Sequence, residues 1–156
     1  MMSRAFVKDD DAGAGIEPLP DRPISPHPNL VTPAGLDAIE RQLTELQQRH
    51  AAALQAEDRA AQGSIARELR YWSARRASAQ VVKAPATPSE VGFGTTVTIA
   101  RGDGRKQTWR IVGEDEADPA QGTLSYVAPV ARALMGKRIG DVVRAGNSDA
   151  EIVAIS

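Results

Sequence analysis

The 156-residue chain contains no cysteine, two histidines, two residues each of Trp, Tyr and Phe, and a formal net charge of −1. The absence of cysteine excludes disulfides, thiolate metal sites and a cysteine nucleophile. His27 and His50 are too few for a histidine-based metal cluster. No run of about 18 apolar residues exists, and residues 1–11 lack the apolar stretch of a secretory signal. We therefore expect a cytoplasmic protein with no membrane partner. The near-zero charge argues against direct binding of nucleic acid through a broad basic surface.

Residues 1–31 are rich in proline and acidic side chains. Half of the chain's ten prolines lie in this segment: Pro18, Pro20, Pro23, Pro26 and Pro28. Proline removes a backbone donor and biases the preceding residue away from helix. We predict an extended, disordered arm over residues 1–31, and we interpret the run Asp9–Asp11 as solvated charge rather than a metal site.

Residues 32–83 have the pattern of two helices. Thr32 is a good N-cap residue, and proline, here Pro33, is favoured at the first helical position. Apolar or small residues then recur in steps of three and four, as in a heptad seam, at Leu36, Ile39, Leu43, Leu46, His50 and Ala53. A second, weaker seam follows at Ile65, Leu69, Trp72, Arg76 and Ala79.

Two short heptad helices that are joined tightly are expected to pack as an antiparallel coiled-coil hairpin. We predict the turn at residues 56–58, where Asp58 would cap the second helix. A turn at residues 62–64, around Gly63, is the alternative, but it leaves the two arms unequal in length.

Composition and period change after residue 83. Pro85 and Pro88 predict a linker over residues 84–90. Residues 91–156 are β-rich, with strand patterns at residues 91–100, 107–113, 124–128, 141–145 and 151–155. Asp103–Gly104 is typical of a hairpin turn, residues 147–149 resemble another turn, and Pro129 to Met135 predict one short helix that Gly136 ends. The fold class is therefore α+β, with a helical hairpin followed by a small β-rich domain.

A dense group of acidic residues, 114–118, follows one of these strands. Such a loop could bind a divalent cation or supply paired carboxylates for acid–base chemistry. However, the loop lacks EF-hand spacing, and no histidine occurs in this part of the chain. We interpret the loop as a structural turn. Because no phosphate loop or Ser-His-Asp set is present either, we expect no enzyme, no cofactor or metal of its own, and no small-molecule substrate.

Several motifs fall in the order and spacing of one known family. Residues 111–118 read I-V-G-E-D-E-A-D, and Pro129, Ala133–Leu134, Gly136 and Gly140–Asp141 follow. Together with F-G-T-T-V at residues 93–97, T-P-A-G-L at residues 32–36 and A-Q-V-V at residues 79–82, these motifs make residues 29–156 resemble the GreA/GreB transcript-cleavage factors.

The resemblance implies both a fold and a partner. In this family, an FKBP-like C-terminal domain binds the rim of the secondary channel of bacterial RNA polymerase, and the coiled coil enters the channel. The protein would then meet nucleic acid only indirectly, through the elongation complex. The residues matching the family's docking loop are Val127, Ala128, Pro129, Val130 and Leu134.

The family also carries two acidic residues at the hairpin tip, which help to hold a catalytic Mg²⁺ for RNA cleavage. They belong to a motif G-D-x-x-E-N-A-E-Y. If Tyr71 is matched to its tyrosine, Gly63 fits the glycine, but Ser64 and Arg67 occupy the acidic positions. If residues 79–82 are matched instead, the hairpin is shorter by about one heptad per arm, or about 10 Å, and the motif is absent. We favour this second match, because it keeps the two arms equal in length.

In neither alignment does this chain have acidic residues at the two positions where the family carries them. Glu57 and Asp58 lie at the predicted turn and are weak candidates to replace them. We therefore expect a regulator of transcription elongation that binds polymerase, with stimulation of cleavage disfavoured by the missing motif. A competitor of true cleavage factors, or a regulator of the nucleoside diphosphate kinase type, is the alternative.

Overall fold

The computed structural model describes residues 19–156, so the run Asp9–Asp11 lies outside the described residues. The predicted α+β fold is confirmed: a two-helix hairpin is followed by a β-rich domain with a short helix. The elements are β1 (Leu30–Val31), α1 (Pro33–Gln55), α2 (Arg59–Ser78), β2 (Gln80–Val81), β3 (Thr96–Arg101), β4 (Lys106–Val112), 3-10 turns at Glu114–Glu116 and Pro119–Gln121, β5 (Thr123–Ser125), α3 (Pro129–Leu134), β6 (Val142–Ala145) and β7 (Ser148–Ile155). The chain divides into two compact units, one built on residues 39–77 with the described part of 1–25, the other on 26–38 and 78–156.

Helices α1 and α2 run antiparallel. Near the turn, the Gln62 side-chain amide donates to the Ala53 carbonyl at 3.2 Å, while at the other end Arg76 pairs with Glu40 at 2.9 Å. The small core between the helices consists of buried side chains that belong to the two predicted seams, and these are Leu46, Ala53 and Ile65. His50 is half-buried, as expected of a histidine at a core edge.

The end of the second seam differs from the prediction. Arg75 is buried, with 1% of its surface exposed, whereas Arg76 is exposed and forms the ion pair with Glu40. The buried position that follows Trp72 is therefore Arg75, three residues later, and not Arg76, four residues later, as the seam predicted. Both steps are compatible with a helical period of 3.6, so the sequence spacing could not distinguish them.

The β-rich domain is organised around a five-stranded sheet with the order β5-β4-β3-β7-β6. Strands β3 and β4 are antiparallel and meet at the predicted Asp103–Gly104 turn, where Gly104 has φ of 89°. The backbone N–H of Arg105 donates to the Asp103 carboxylate and lowers the pKa of this exposed residue. Among the fully buried side chains of the sheet and α3 are Val97, Ile99, Ile111, Leu134 and Ile152.

Several strand boundaries differ from the sequence prediction; β5, for example, ends at Ser125 rather than at residue 128, and glycines explain two other differences. Strand β3 begins at Thr96 rather than at residue 91, because Gly94 has φ of 85° and interrupts the extended conformation. The final turn lies one to two residues earlier than predicted, since Gly146 takes the positive φ of 76° and Ser148 already belongs to β7.

The described part of the proline-rich arm is better ordered than predicted. Leu30 and Val31 form β1, which pairs in parallel with Gln80 and Val81 of β2. Disorder was therefore the wrong prediction for the end of the arm. The prolines do not prevent this pairing, because the arm contributes carbonyl acceptors to it, and proline removes only an N–H donor. The backbone N–H of Gln80 donates to the Asn29 carbonyl, and that of Val82 donates to the Val31 carbonyl.

The carboxylate of Glu116 holds the start of α1. It accepts hydrogen bonds from the Thr32 backbone N–H at 2.9 Å, from the Thr32 hydroxyl, and from the Gly113 N–H at 3.2 Å. Thr32 in turn accepts the Gly35 N–H at 3.0 Å, which confirms it as the N-cap of α1. A carboxylate at a helix N-terminus also interacts favourably with the helix dipole.

Two glycines make this contact possible. A Cβ atom on Gly35 would lie 2.2 Å from the Glu116 carboxyl carbon, and one on Gly113 would lie 2.2 Å from the Leu30 carbonyl oxygen. Real Cβ atoms do not approach other atoms so closely. The acidic segment is thus the predicted structural turn, and Glu116 has a specific structural task within it.

Two glycine-to-alanine changes in helices should have opposite effects. Gly35→Ala should lower the free energy of unfolding by about 1–3 kcal/mol, because the new methyl group displaces the Glu116 carboxylate from its hydrogen bonds. Gly63→Ala is the matched control: nothing lies within 4 Å of its Cβ position, and alanine should stabilise the helix by about 0.5–1 kcal/mol. Urea unfolding of both variants checks this, and equal stabilisation would contradict the role of Glu116.

Candidate functional site

The hairpin turn lies where the sequence predicted it, at residues 56–58. Helix α1 ends at Gln55 and α2 begins at Arg59, whereas Gly63, the centre of the alternative turn, lies inside α2. Both Glu57 and Asp58 are exposed. The two carboxylates that sequence reasoning selected are therefore adjacent at the tip of the hairpin.

Backbone hydrogen bonds define the conformation of this tip. The Glu57 N–H donates to the Leu54 carbonyl at 3.1 Å, and the Asp58 N–H donates to the Ala53 carbonyl at 3.0 Å. This pair of bonds is the Schellman pattern that ends many helices, in which the residue at the Glu57 position is left-handed and usually glycine. Glu57 has φ of 52° and is the non-glycine residue with positive φ in the described chain.

Asp58 has a second task as a helix cap. Its Oδ1 atom accepts the Ala61 backbone N–H at 3.1 Å, as predicted for the N-cap of α2. Within residues 19–156, no group of three or more His, Cys, Asp or Glu side chains is arranged to hold a metal ion. Mg²⁺ prefers six oxygen ligands. By themselves, Glu57 and Asp58 therefore supply only part of the ligand set of such an ion.

The loop between β5 and α3 is the second candidate surface. Pro129, at the first position of α3, is exposed, while Val127, Ala128 and Val130 are half-buried. Leu134 was predicted to belong to this surface, but it has no exposed area and packs in the domain core. That part of the prediction is wrong, because the inward face of α3 carries Leu134 five residues after Pro129.

The shape of this loop depends on Ser125, which the sequence analysis did not select. Its hydroxyl accepts the Val127 N–H at 3.2 Å, and its carbonyl accepts the Ala128 N–H at 2.9 Å. Ala128 occupies the N-cap position of α3 with φ of −64° and ψ of 147°, and it offers no side-chain cap. The Ser125 bonds hold the chain so that Pro129 faces outward without a cap. Ser125 precedes Tyr126 in an ordinary strand pattern, so no sequence signal identified it.

No helix in the described part of the chain is long and apolar enough to span a membrane.

The tip conformation yields a paired prediction. Glu57→Gly should raise the free energy of unfolding by about 1 kcal/mol, because glycine adopts the left-handed conformation without steric cost. Asp58→Ala should lower it by about 0.5–2 kcal/mol through loss of the cap. Thermal unfolding followed by circular dichroism measures both changes. Destabilisation by Glu57→Gly would show that the tip is not closed as described.

The uncapped start of α3 yields a second prediction. Ala128→Ser should stabilise the domain by about 0.5–2 kcal/mol, since the serine hydroxyl can accept a free backbone N–H in the first turn. Ala133→Ser adds the same hydroxyl inside α3, where it has no orphan N–H to satisfy, and serves as the control. In chemical denaturation, the free energy of unfolding of Ala128→Ser should be higher than that of the parent chain, and that of Ala133→Ser should be lower. The reverse order would contradict the conclusion that α3 begins without a side-chain cap.

Comparison with known proteins gives a consistent result. Residues 86–156 match the family model "Transcription elongation factor, GreA/GreB, C-term". Transcription elongation factor GreB of Neisseria meningitidis serogroup A is 34% identical over 151 aligned residues, covering 81% of this chain and 93% of that protein. Transcription elongation factor GreA of Thioalkalivibrio sulfidiphilus is 39% identical over 101 residues, covering 60% of this chain and 64% of that protein.

Among solved structures, GreA factor homolog 1 (Gfh1) of Thermus thermophilus is 19% identical and aligns over 83% of this chain and 99% of that chain. The TM-score of this alignment is 0.42.

Proposed function

Because this chain belongs to the GreA/GreB family of transcription elongation factors, we propose that it binds bacterial RNA polymerase at the rim of the secondary channel and modulates elongation. The observation that carries the proposal is the alignment with a GreB protein over 93% of that protein's length, at 34% identity. On this proposal, the β-rich domain docks and the helical hairpin enters the channel.

The loop before α3 supports the docking half of the proposal. Pro129 stands exposed at the start of α3, and Val127 and Val130 are half-buried on either side of it. A rigid apolar protrusion of this kind loses little conformational entropy when it becomes buried. Surfaces with few rotatable bonds can therefore bind with useful affinity although their area is small.

The dimensions of the hairpin support the second half of the proposal, that the hairpin enters the channel. Helix α1 has 23 residues, which at 1.5 Å per residue is a rod of about 35 Å. The alignment with the GreB protein holds 151 positions but spans only 81% of this chain. The relative therefore has residues that this chain lacks, which agrees with a shortened hairpin if they lie in the helical arms.

We propose that the protein occupies the channel without stimulating RNA cleavage. Asp58 is engaged as a helix cap, and Glu57 is set by the helix-ending turn. A tip about 10 Å short of its target cannot ligate a metal, because metal–ligand distances vary only by tenths of an ångström. The protein would then compete with cleavage-competent factors for the same entrance.

Substitution of Pro129 tests the docking surface. Pro129→Ala should weaken binding to purified polymerase about 5- to 30-fold, the loss typical of an interface anchor. Pro119→Ala changes a second exposed proline, which begins a 3-10 turn outside this loop, and should leave the affinity unchanged. Undiminished binding of the Pro129 variant would refute the surface. Capture of nucleoside diphosphate kinase instead of polymerase would favour the rival function.

A stalled, backtracked elongation complex tests the second proposal. With Mg²⁺, the protein should not accelerate shortening of the RNA, and it should slow the shortening caused by an added cleavage-competent GreA or GreB. Rapid shortening that Glu57→Gln or Asp58→Asn abolishes would show that the tip carboxylates do reach the polymerase metal.

A further inference from the structure

Residues 19–25 follow the outer face of α2 and make several specific contacts with it. The Arg22 guanidinium donates to Glu68 at 2.8 Å and lies 3.7 Å from the centre of the Tyr71 ring. It also lies 5.9 Å from the centre of the Trp72 ring, which meets Tyr71 edge-on. Arg22 and Glu68 are about two-thirds buried, with side-chain exposures of 32% and 30%. Such a pair is screened less by solvent than a fully exposed one.

Two further contacts fix the position of this segment along the helix. Arg67 donates through Nε to the Pro20 carbonyl at 2.6 Å, and Arg70 donates to Asp21 at 2.7 Å. The chain therefore runs from Arg22 to Pro20 as α2 runs back from Tyr71 to Arg67. The segment is therefore parallel to α2, and its N-terminal end points toward the hairpin turn.

This contact adds buried surface to a hairpin whose own core is small. Its buried cluster holds three residues, with Leu69 and Trp72 partly buried against it. Arg22 closes over the aromatic pair that continues this cluster outward, and cation–π contacts strengthen when the cation is partly desolvated. The N-terminal segment thus acts as a third layer on a two-helix element.

We propose that residues 19–25 form an intramolecular strap that inhibits full insertion of the hairpin, an inference that rests on the proposed function. An α-helix with its side chains is about 10–12 Å wide, and an extended chain laid on it adds about 5 Å. The hairpin carries this extra layer from Arg67 onward, beginning nine residues beyond Asp58. If the channel entrance is only wide enough for two helices, the hairpin can enter as far as Arg67 and no further until the strap detaches.

The size of the effect follows from the population of the open state. If the strap is open in about one molecule in ten, the apparent affinity for polymerase is about tenfold weaker than that of the permanently open protein. A variant with a released strap should then bind about tenfold more tightly, provided that the β-rich domain and the tip are unchanged.

Charge reversal at the Arg22–Glu68 pair tests the proposal in the full-length chain. Arg22→Glu should abolish the NMR contacts (NOEs) between residues 21–22 and the Tyr71 ring and tighten polymerase binding about tenfold. Adding Glu68→Arg restores an opposite pair and should return both readouts toward those of the parent. Arg49→Glu makes the same charge change at an exposed site on α1 and should alter neither.

The two readouts separate the possible failures. Absence of these NOEs already in the parent chain would show that no strap exists. Loss of the NOEs in the Arg22→Glu variant with unchanged polymerase affinity would show that the strap exists but does not limit insertion, and would overturn the proposal while leaving the proposed function intact. Failure of every variant, including the parent, to bind polymerase would overturn both.

Discussion

The carboxylate of Glu116 is the contact on which the rest of the structure depends. It accepts three hydrogen bonds at the start of α1, two of them from Thr32 and one from Gly113, and it occupies the space that a side chain on Gly35 would need. A charged acceptor bonded in this way is worth more than a neutral one. Two motifs far apart in sequence, T-P-A-G-L and I-V-G-E-D-E-A-D, are therefore parts of one structural device. The first turn of the hairpin helix belongs to the same compact unit as the sheet because of this device.

Local patterns in the sequence predicted most of the fold. The heptad steps located both helices, Asp58 identified the turn, and the Asp103–Gly104 and Pro129 signals located a β-hairpin and α3. What the sequence could not reveal depends on contacts between distant segments. Glu116 looked like one acid among four, and nothing near Arg22 predicts its stacking on Tyr71. Leu134 was assigned to the surface because the family motif does not distinguish the inward face of a short helix from the outward one.

The two candidate surfaces, the loop before α3 and the hairpin tip, are held in place by different contacts. The loop before α3 is held by Ser125 and presents Pro129 on a packed domain. The tip is closed by backbone bonds that leave Asp58 capping α2 and Glu57 in a conformation that suits glycine better. A glutamate at such a position costs about 1 kcal/mol, and residues kept at a conformational cost are common at functional sites. On the proposed function, docking and channel occupancy are the main activity, and Glu57 is the residue that would meet the channel interior.

The most direct test of this account is the position of the tip in the complex with polymerase. Because the chain has no cysteine, the single substitution Glu57→Cys gives a unique attachment point for a photo-crosslinker. Mapping the crosslinks on RNA polymerase should place residue 57 on the walls of the secondary channel, short of the catalytic metal. Crosslinks confined to the outer surface of the polymerase, or none above the level of an uncoupled control, would contradict the account.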